Sequence, residues 1–239
     1  LHSFPTRRSS DLLPQKTLSN QELEKMVDTS NEWILSRTGI ENRHIVSDGE
    51  ATSDMCSQIA NQLLEKSGKS AEDIDLILVA TSTPDFLVVS TAALVQDKIG
   101  AKNAWGYDIV AACTGFVYAM ETGAKFIESG SYDNVIVIGA DTMSSIIDYT
   151  DRNTCVIFGD GGGGVLLEPT QEEIGIIDSI LHIDGSGHKY LTVPAGGSAN
   201  PASKETLDNK MHYVYQDGKT VYKFAVKNMA NVSKKILDN

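Results

Sequence analysis

The sequence contains few cysteines, and no two of them form a Cys-x-x-Cys pair. The three cysteines, at positions 56, 113 and 155, also lack the spacing of metal ligands. Neither a zinc site nor a disulfide framework is therefore predicted. The chain has no apolar run of about eighteen residues and does not begin with a basic segment followed by an apolar one. We therefore expect a cytoplasmic protein that neither spans a membrane nor carries an export signal.

Basic residues are also scarce, since 20 lysines and arginines face 32 acidic residues and leave a net charge of −12. This balance argues against binding to nucleic acid or to anionic lipid. The lysines concentrate near the end of the chain, where Lys219, Lys223 and Lys227 recur every four residues along a predicted helix. Such a stripe is either a solvated helix face or a docking surface for an acidic partner.

The chain has 239 residues, of which 41% are hydrophobic, so it can bury a substantial core. After residue 50, amphipathic helices alternate with the strand-like runs DIDLILVATS, AWGYDIVAA and NVIVIGAD. This alternation predicts a parallel sheet with helical crossovers, hence an α/β fold. The later segments NTCVIFGDGGGGVLLEP and EIGIIDSILHIDG indicate antiparallel or edge strands, and TVYKFAVKNMANVSKKILDN is predicted to be a helix.

The beginning of the chain follows no clear pattern. LHSFPTRRSSDL, residues 1–12, has neither helical nor strand periodicity, so we predict that it is foreign to the fold or disordered. Ser19 is followed three residues later by Glu22, a capping-box pattern that predicts a helix over residues 20–28. The next segment, TSNEWILSRTGI, is predicted to be irregular.

The glycine-rich segment GDGGGG, residues 159–164, formally matches G-x-G-x-x-G. A dinucleotide site needs a helix that begins directly after the glycines, because the helix N-terminus holds the pyrophosphate. Here the strand-like VLLEP follows instead. We therefore favour a close-packed glycine turn over a nucleotide site.

Cys113 lies where a predicted strand ends and a helix begins. A free cysteine is usually an inert buried side chain. At this position, however, unpaired backbone N–H groups and the positive end of the helix dipole would stabilise a thiolate and make it a better nucleophile. The neighbours over residues 111–115 are small, which permits a sharp turn. We predict that Cys113 is a catalytic nucleophile and that the other two cysteines are structural.

Four segments carry a family resemblance: DTSNEWILSRTGIENRHI, AACTGFVYAM, YTDRNTCVIFGDGGGG and DGKTVYKFAV. In this order and spacing they resemble β-ketoacyl-acyl carrier protein synthase III, the initiating condensing enzyme of bacterial type II fatty acid synthesis, in the thiolase-like superfamily. The resemblance covers residues 13–239. It implies a thiolase-like five-layered α/β/α/β/α fold, with residues 13–169 as the N-terminal half and 170–239 as the start of an incomplete C-terminal half.

The resemblance also implies a reaction and its partners. A homodimer would take an acyl group from acyl-coenzyme A onto Cys113 and condense it with malonyl-acyl carrier protein, which gives a 3-oxoacyl product and carbon dioxide. No cofactor is implied besides the coenzyme A thioester, which is a substrate.

Six further positions match functional positions of the family. Four of them match residues that hold the adenine end of coenzyme A, namely Thr29, Trp33, Arg37 and Arg152. The other two fall on the basic surface that the family presents to acyl carrier protein, Lys223 and Lys227.

The sequence also departs from the family pattern. The family's catalytic histidine and asparagine lie in motifs beyond residue 239, so we expect this chain to be a fragment that is inactive in condensation. LVVST, residues 87–91, replaces an aromatic-proline pair that is common in the family. Two alternatives stay open: a related thiolase-fold acyltransferase of specialised metabolism, and a non-catalytic remnant that binds coenzyme A or acyl carrier protein.

Overall fold

The computed structural model describes residues 9–172 and 175–238. The chain forms two compact units, each assembled from separate stretches of sequence. Of the described residues, the first unit contains 9–16, 44–142, 160–172 and 175–179, and the second contains 17–43, 143–159 and 180–238.

The described residues form helices and strands with the following bounds. The helices are α1 (Asn20–Leu23), α2 (Asn31–Thr38), α3 (Thr52–Ser67), α4 (Thr91–Ile99), α5 (Gly115–Glu128), α6 (Lys204–Asp208) and α7 (Gly218–Leu237). The strands are β1 (Ser9–Leu12), β2 (Lys16–Ser19), β3 (Asn42–Ile45), β4 (Leu76–Ala80), β5 (Trp105–Ile109), β6 (Val135–Thr142), β7 (Asp160–Leu167), β8 (Leu191–Thr192) and β9 (Tyr215–Gln216). None of these helices is both long enough and apolar enough to cross a membrane.

The first unit is built on a five-stranded mixed sheet with the strand order β1-β7-β6-β4-β5. β4 runs parallel to both β5 and β6, with Leu76 opposite Trp105 on one side and Val135 on the other. β7 runs antiparallel to β6 and to β1. The predicted parallel strands are therefore confirmed, and so is an antiparallel strand in the glycine-rich segment.

Both faces of this sheet are covered by helices, which explains the uninterrupted apolar run of β4. Ile77 and Val79 pack with residues of α3 and α4 on one face. Leu76 and Leu78 pack with residues of α5 on the other. All five residues of β4 are buried. The first unit is therefore a helix–sheet–helix sandwich in which β4 is an interior strand, between β5 and β6.

The glycine-rich segment forms most of β7 rather than the predicted turn. It pairs on both sides, with Gly164 opposite Ile138 of β6 and Ser10 of β1, and the strand continues to Leu167. A Cβ atom at Gly164 would lie 2.9 Å from the carbonyl oxygen of Val137 and 2.9 Å from Cγ2 of Ile59. The predicted close packing is therefore confirmed, because α3 lies directly on the glycines.

The prediction that residues 1–12 stay outside the fold is wrong for residues 9–12, and residues 1–8 lie outside the described residues. Residues 9–12 form the edge strand β1, paired antiparallel with β7. Its backbone supplies the hydrogen bonds of the pairing, so the strand forms without an alternating apolar pattern. Lys66 of α3 adds a hydrogen bond of 2.9 Å to the carbonyl oxygen of Ser9.

The second unit has its own small core, formed by Leu23, Ile34, Ile147, Cys155, Val156 and Val214. Arg43 is buried beside it and donates hydrogen bonds to Asn20 and to the carbonyl oxygen of Val156. Removal from water lowers the pKa of the Arg43 guanidinium. These neutral acceptors satisfy the hydrogen-bonding groups of the buried guanidinium, which thereby links Asn20 to Val156.

Three predicted elements differ from the structure, two in this unit and one that spans both units. The capping box of Ser19 and Glu22 is present, but α1 ends at Leu23 rather than near residue 28. The segment predicted to be irregular contains α2, which Ser30 caps and which Gly39 ends with φ +70°. Only Ile34 of α2 is buried, so the helix leaves no apolar periodicity in the sequence. Among the described residues 175–184, the predicted strand of EIGIIDSILHIDG is absent.

We expect Gly164→Ala to lower the free energy of unfolding by about 1–3 kcal/mol, because the new methyl group overlaps backbone and core atoms. Gly163→Ala is the matched control, since a Cβ there would meet its nearest atom, the Ser10 carbonyl oxygen, only at 3.5 Å. Urea denaturation of both variants measures the difference. Equal destabilisation by the two substitutions would contradict the packing described for β7.

Candidate active site

Cys113 lies in a short 3-10 turn, Ala112–Thr114, that joins β5 to α5. Its side chain is exposed, whereas Cys56 and Cys155 are buried. The structure therefore places Cys113 at the junction of a strand and a helix, where the sequence predicts it, and leaves the thiol accessible to a substrate.

The turn at Cys113 has an unusual backbone conformation. Ala112 has φ +45°, in the left-handed region that residues with a Cβ atom seldom adopt. Thr114 closes the turn with two hydrogen bonds to the carbonyl oxygen of Ala111, from its amide at 3.2 Å and from its hydroxyl at 2.9 Å. A strained, sharply turned residue directly before a nucleophile presents the following side chain outward, as in a nucleophile elbow.

The first turn of α5 packs closely on the sheet. A Cβ atom at Gly115 would lie 3.2 Å from Cβ of Ala80, at the end of β4. A Cβ atom at Gly139 of β6 would lie 3.1 Å from the ring of Phe116. Thr114 makes no side-chain capping bond to the first turn of α5, and the Gly115 amide donates instead to the carbonyl oxygen of Ala112. The positive end of the α5 dipole lies beside Cys113.

The other two cysteines lie in environments that suppress the thiolate. Burial, with a smaller contribution from Asp151, raises the pKa of Cys155 to about 11. Burial also raises the pKa of Cys56, and nearby carboxylates such as Asp108 add to the effect. Both groups are therefore neutral thiols near neutral pH.

Trp33, Arg37 and Arg152 come together in the second unit. The guanidinium carbons of Arg37 and Arg152 lie 4.5 Å and 4.6 Å from the centroid of the Trp33 ring. Arg152 also lies 3.7 Å from the carboxylate of Asp28. An aromatic ring with two adjacent guanidinium groups can stack on a purine and bind phosphate.

Thr29 lies directly before the residue that caps α2. Its hydroxyl oxygen is buried and has no hydrogen-bond partner within the described part of the chain. A buried hydroxyl without a partner is costly, and a ligand that supplies a donor or acceptor would remove this cost.

The predicted lysine stripe lies on α7. Lys219, Lys223 and Lys227 are all exposed, and no residue of α7 is buried. The helix also exposes large apolar side chains, including Tyr222 and Met229. The sequence predicts this helix and its stripe correctly.

One set of polar side chains near Cys113 was missed by the sequence analysis. Asp141 near the end of β6, with Thr81 and Thr83 just after β4, forms a hydrogen-bonded cluster. The only signal in the sequence is that a short polar stretch directly follows or ends each buried strand.

Comparisons with known proteins agree on one family. A family model described as 3-oxoacyl-[acyl-carrier-protein (ACP)] synthase III matches residues 107–185. The β-ketoacyl-[acyl-carrier-protein] synthase III of Koribacter versatilis is 55% identical over 227 residues, which cover 94% of this chain and 68% of that protein. The same enzyme of Chlorobaculum tepidum is 57% identical over 228 residues, which cover 94% of this chain and 69% of that protein.

Solved structures give the same result. The 3-oxoacyl-[acyl-carrier-protein] synthase III of Aquifex aeolicus superposes with a TM-score of 0.85 at 38% identity, over 96% of this chain and 70% of that one. The enzyme of Pseudomonas aeruginosa superposes with a TM-score of 0.86 at 34% identity, over 96% and 69% of the two chains. The fold is therefore thiolase-like. The chain belongs to the β-ketoacyl-[acyl-carrier-protein] synthase III family of acyltransferases, the initiating condensing enzymes of type II fatty acid synthesis.

Proposed function

We propose that Cys113 of this chain accepts an acyl group from acyl-coenzyme A and that the acyl group is then condensed with malonyl-acyl carrier protein. The observation that carries the assignment of Cys113 is its exposure on a strained turn at the N-terminus of α5. Membership of the family supplies the reaction in which such a thiol is used.

In the first step the Cys113 thiolate attacks the thioester carbonyl carbon of acyl-coenzyme A. A new carbon–sulfur bond forms at Cys113, the bond to the coenzyme A sulfur breaks, and coenzyme A leaves as a thiolate that takes up a proton. The attacking sulfur is exposed at the N-terminus of α5. This step uses groups that lie around Cys113 in the first unit.

In the second step malonyl-acyl carrier protein loses carbon dioxide, and the resulting carbanion attacks the acyl-Cys113 carbonyl carbon. The Cys113 thiolate leaves and the 3-oxoacyl product is released. The carbanion needs preorganised stabilisation. The family resemblance implies that a histidine and an asparagine provide it, so acylation and condensation depend on different groups and can be measured separately.

We expect limiting acetyl-coenzyme A, or limiting iodoacetamide at pH 8, to modify Cys113 before the other two cysteines. At this pH Cys155, with its pKa raised to about 11, is almost entirely the unreactive thiol. Mass spectrometry of proteolytic peptides identifies the modified residue. The Cys113→Ala variant should remain unlabelled, and iodoacetamide should label every cysteine after denaturation. Preferential labelling of Cys56 or Cys155 in the folded protein would refute the assignment.

We also propose that Thr29, Trp33, Arg37 and Arg152 hold the adenine end of coenzyme A. The stacking of both guanidinium groups near the Trp33 ring supports this assignment. The partnerless hydroxyl of Thr29 supports it as well.

Replacing Arg37 and Arg152 together by alanine should weaken coenzyme A binding by about tenfold or more, because charge-assisted contacts to phosphate and stacking on the base are lost. Isothermal titration with coenzyme A measures this change. Acylation by acetyl-pantetheine, which lacks the nucleotide, is the control and should keep its rate. If the variant lost the same factor in acylation rate with acetyl-coenzyme A and with acetyl-pantetheine, the arginines would not act through the nucleotide.

Lys223 and Lys227 are proposed to dock the acyl carrier protein. They are exposed side chains of one helix stripe on a chain whose net charge is −12. A local basic stripe on an acidic protein steers an acidic partner and raises its association rate.

Changing Lys223 and Lys227 to Glu should slow association with acyl carrier protein by about tenfold at low salt and much less at high salt. The matched control changes the exposed Lys16 and Lys102 to Glu, which alters the net charge equally. Stopped-flow or surface-plasmon measurements at two salt concentrations give the rates. An unchanged rate for the Lys223 and Lys227 variant at low salt would overturn the docking proposal.

We also propose that the protein is a cytoplasmic homodimer, as the family resemblance implies, and an exposed apolar run supports the dimer. Phe86, Leu87 and Val88 form a continuous apolar run, with exposed fractions of 61%, 92% and 96%. Large apolar side chains that are consecutive and exposed are typical of a surface covered by another protein chain.

A further inference from the structure

The carboxylate of Asp141 accepts hydrogen bonds from the residues that follow β4. Its Oδ1 atom accepts hydrogen bonds from the Thr81 hydroxyl at 3.1 Å, the Ser82 amide at 2.7 Å and the Thr83 hydroxyl at 3.0 Å. Three donors from consecutive residues therefore converge on one oxygen atom, and the charge on the carboxylate strengthens each bond.

A buried group of threonines fixes the same segment from the other side. The Thr142 amide donates to the Thr83 hydroxyl at 2.8 Å, and the Thr52 hydroxyl donates to the Thr83 carbonyl oxygen at 2.6 Å. All three threonines are buried. Because these bonds are shielded from water, residues 81–83 have little freedom to move relative to β6 and α3.

This fixed segment contacts both ends of the turn that carries Cys113. The Thr81 amide donates to the carbonyl oxygen of Ile109, the last residue of β5, at 3.3 Å. At the other end of the turn, Gly115 packs on Ala80, where a Cβ atom would lie 3.2 Å from the Ala80 Cβ. A shift of residues 80–81 therefore moves both supports of the turn in which Ala112 has φ +45°.

We propose that Asp141 is a positioning residue for Cys113. It acts through its hydrogen bonds to residues 81–83, which hold the turn between Ile109 and Gly115 in its strained conformation. This inference rests on the proposed role of Cys113. It assigns to a carboxylate at the end of β6 a task in catalysis rather than in stability alone.

Asp75 offers a matched control. It lies directly before β4, at the opposite end of the strand, and is half-buried like Asp141. Its carboxylate accepts hydrogen bonds from the amides of Asp133 and Asn134, both at 2.9 Å. Asp75 therefore links the start of β4 to the segment before β6, just as Asp141 links the end of β6 to the segment after β4. Asp75, however, lies at the end of these strands that is away from Cys113.

The experiment measures acylation of Cys113 by acetyl-coenzyme A in the full chain as a function of thioester concentration. Asp141→Ala should lower the maximal rate about tenfold and leave the half-saturating concentration unchanged, because a misplaced nucleophile slows the attack without altering thioester binding. Asp141→Asn keeps an oxygen acceptor and should restore the rate to within about threefold of wild type. Asp75→Ala should lose thermal stability and keep the wild-type maximal rate.

Thr83→Val provides a second variant should Asp141→Ala fail to fold. It removes the hydroxyl that links Asp141 to Thr142 but keeps the shape of the side chain, and it should lower the maximal rate several-fold. A wild-type rate in Asp141→Ala, or an equal loss in Asp75→Ala, would overturn the proposal.

The rate of Cys113 alkylation by iodoacetamide separates this proposal from the proposed function. If wild-type Cys113 accepts no acetyl group but its alkylation still slows in Asp141→Ala, the positioning role holds and the acyl-transfer function fails. If wild-type Cys113 is acylated and both rates are unchanged in Asp141→Ala, only the positioning role is overturned.

Discussion

The first turn of α5 packs so closely on the sheet that a Cβ atom added at either of two glycines would make a tight contact. Gly115 faces Ala80 of β4, and Gly139 of β6 faces the ring of Phe116. With the helix start fixed there and β5 ending at Ile109, the intervening chain has to turn sharply. Ala112 accordingly adopts φ +45°, and the side chain of Cys113 is exposed. The reactivity that we propose for this thiol therefore depends on a packing contact.

The same residue type has different chemistry at its three positions because the surroundings differ. Cys155 belongs to the core of the second unit, where burial raises its pKa to about 11. Cys56 belongs to α3 and is buried in the core on one face of the sheet, and burial raises its pKa as well. Only Cys113 combines exposure with the positive end of a helix dipole. The distinction among the cysteines is therefore one of solvation and local backbone, which a fold can impose without changing the residue.

The elements that could be predicted from the sequence are those whose pattern is set by burial. β4 is apolar throughout because both of its faces are covered, and this run places the strand correctly. The strand-to-helix junction at Cys113 could be predicted for the same reason, because the sequence indicates both the strand before it, β5, and the helix after it, α5. β1 could not be predicted, because its stability comes from backbone pairing with β7. α2 was also missed, since a helix with Ile34 as its one buried residue has no apolar stripe.

The candidate site was predictable only in part for a related reason. Trp33 and Arg152 are far apart in the sequence, so their contact in the second unit could be expected from the family resemblance but not from any local pattern. The cluster around Asp141 has neither a motif nor a resemblance to indicate it, because its members are joined by hydrogen bonds between strand ends. Polar groups that satisfy one another across a sheet leave no periodic signal in the chain.

The two ends of β4 show how a stabilising interaction acquires a role in catalysis. At the start of the strand, Asp75 accepts two amide hydrogen bonds from the segment before β6. At its end, Asp141 of β6 accepts hydrogen bonds from the three residues that follow β4. Both arrangements join the same pair of strands with a half-buried carboxylate. Only the second lies beside the turn of Cys113, so a displacement there changes the position of the nucleophile, whereas a displacement at Asp75 affects stability alone.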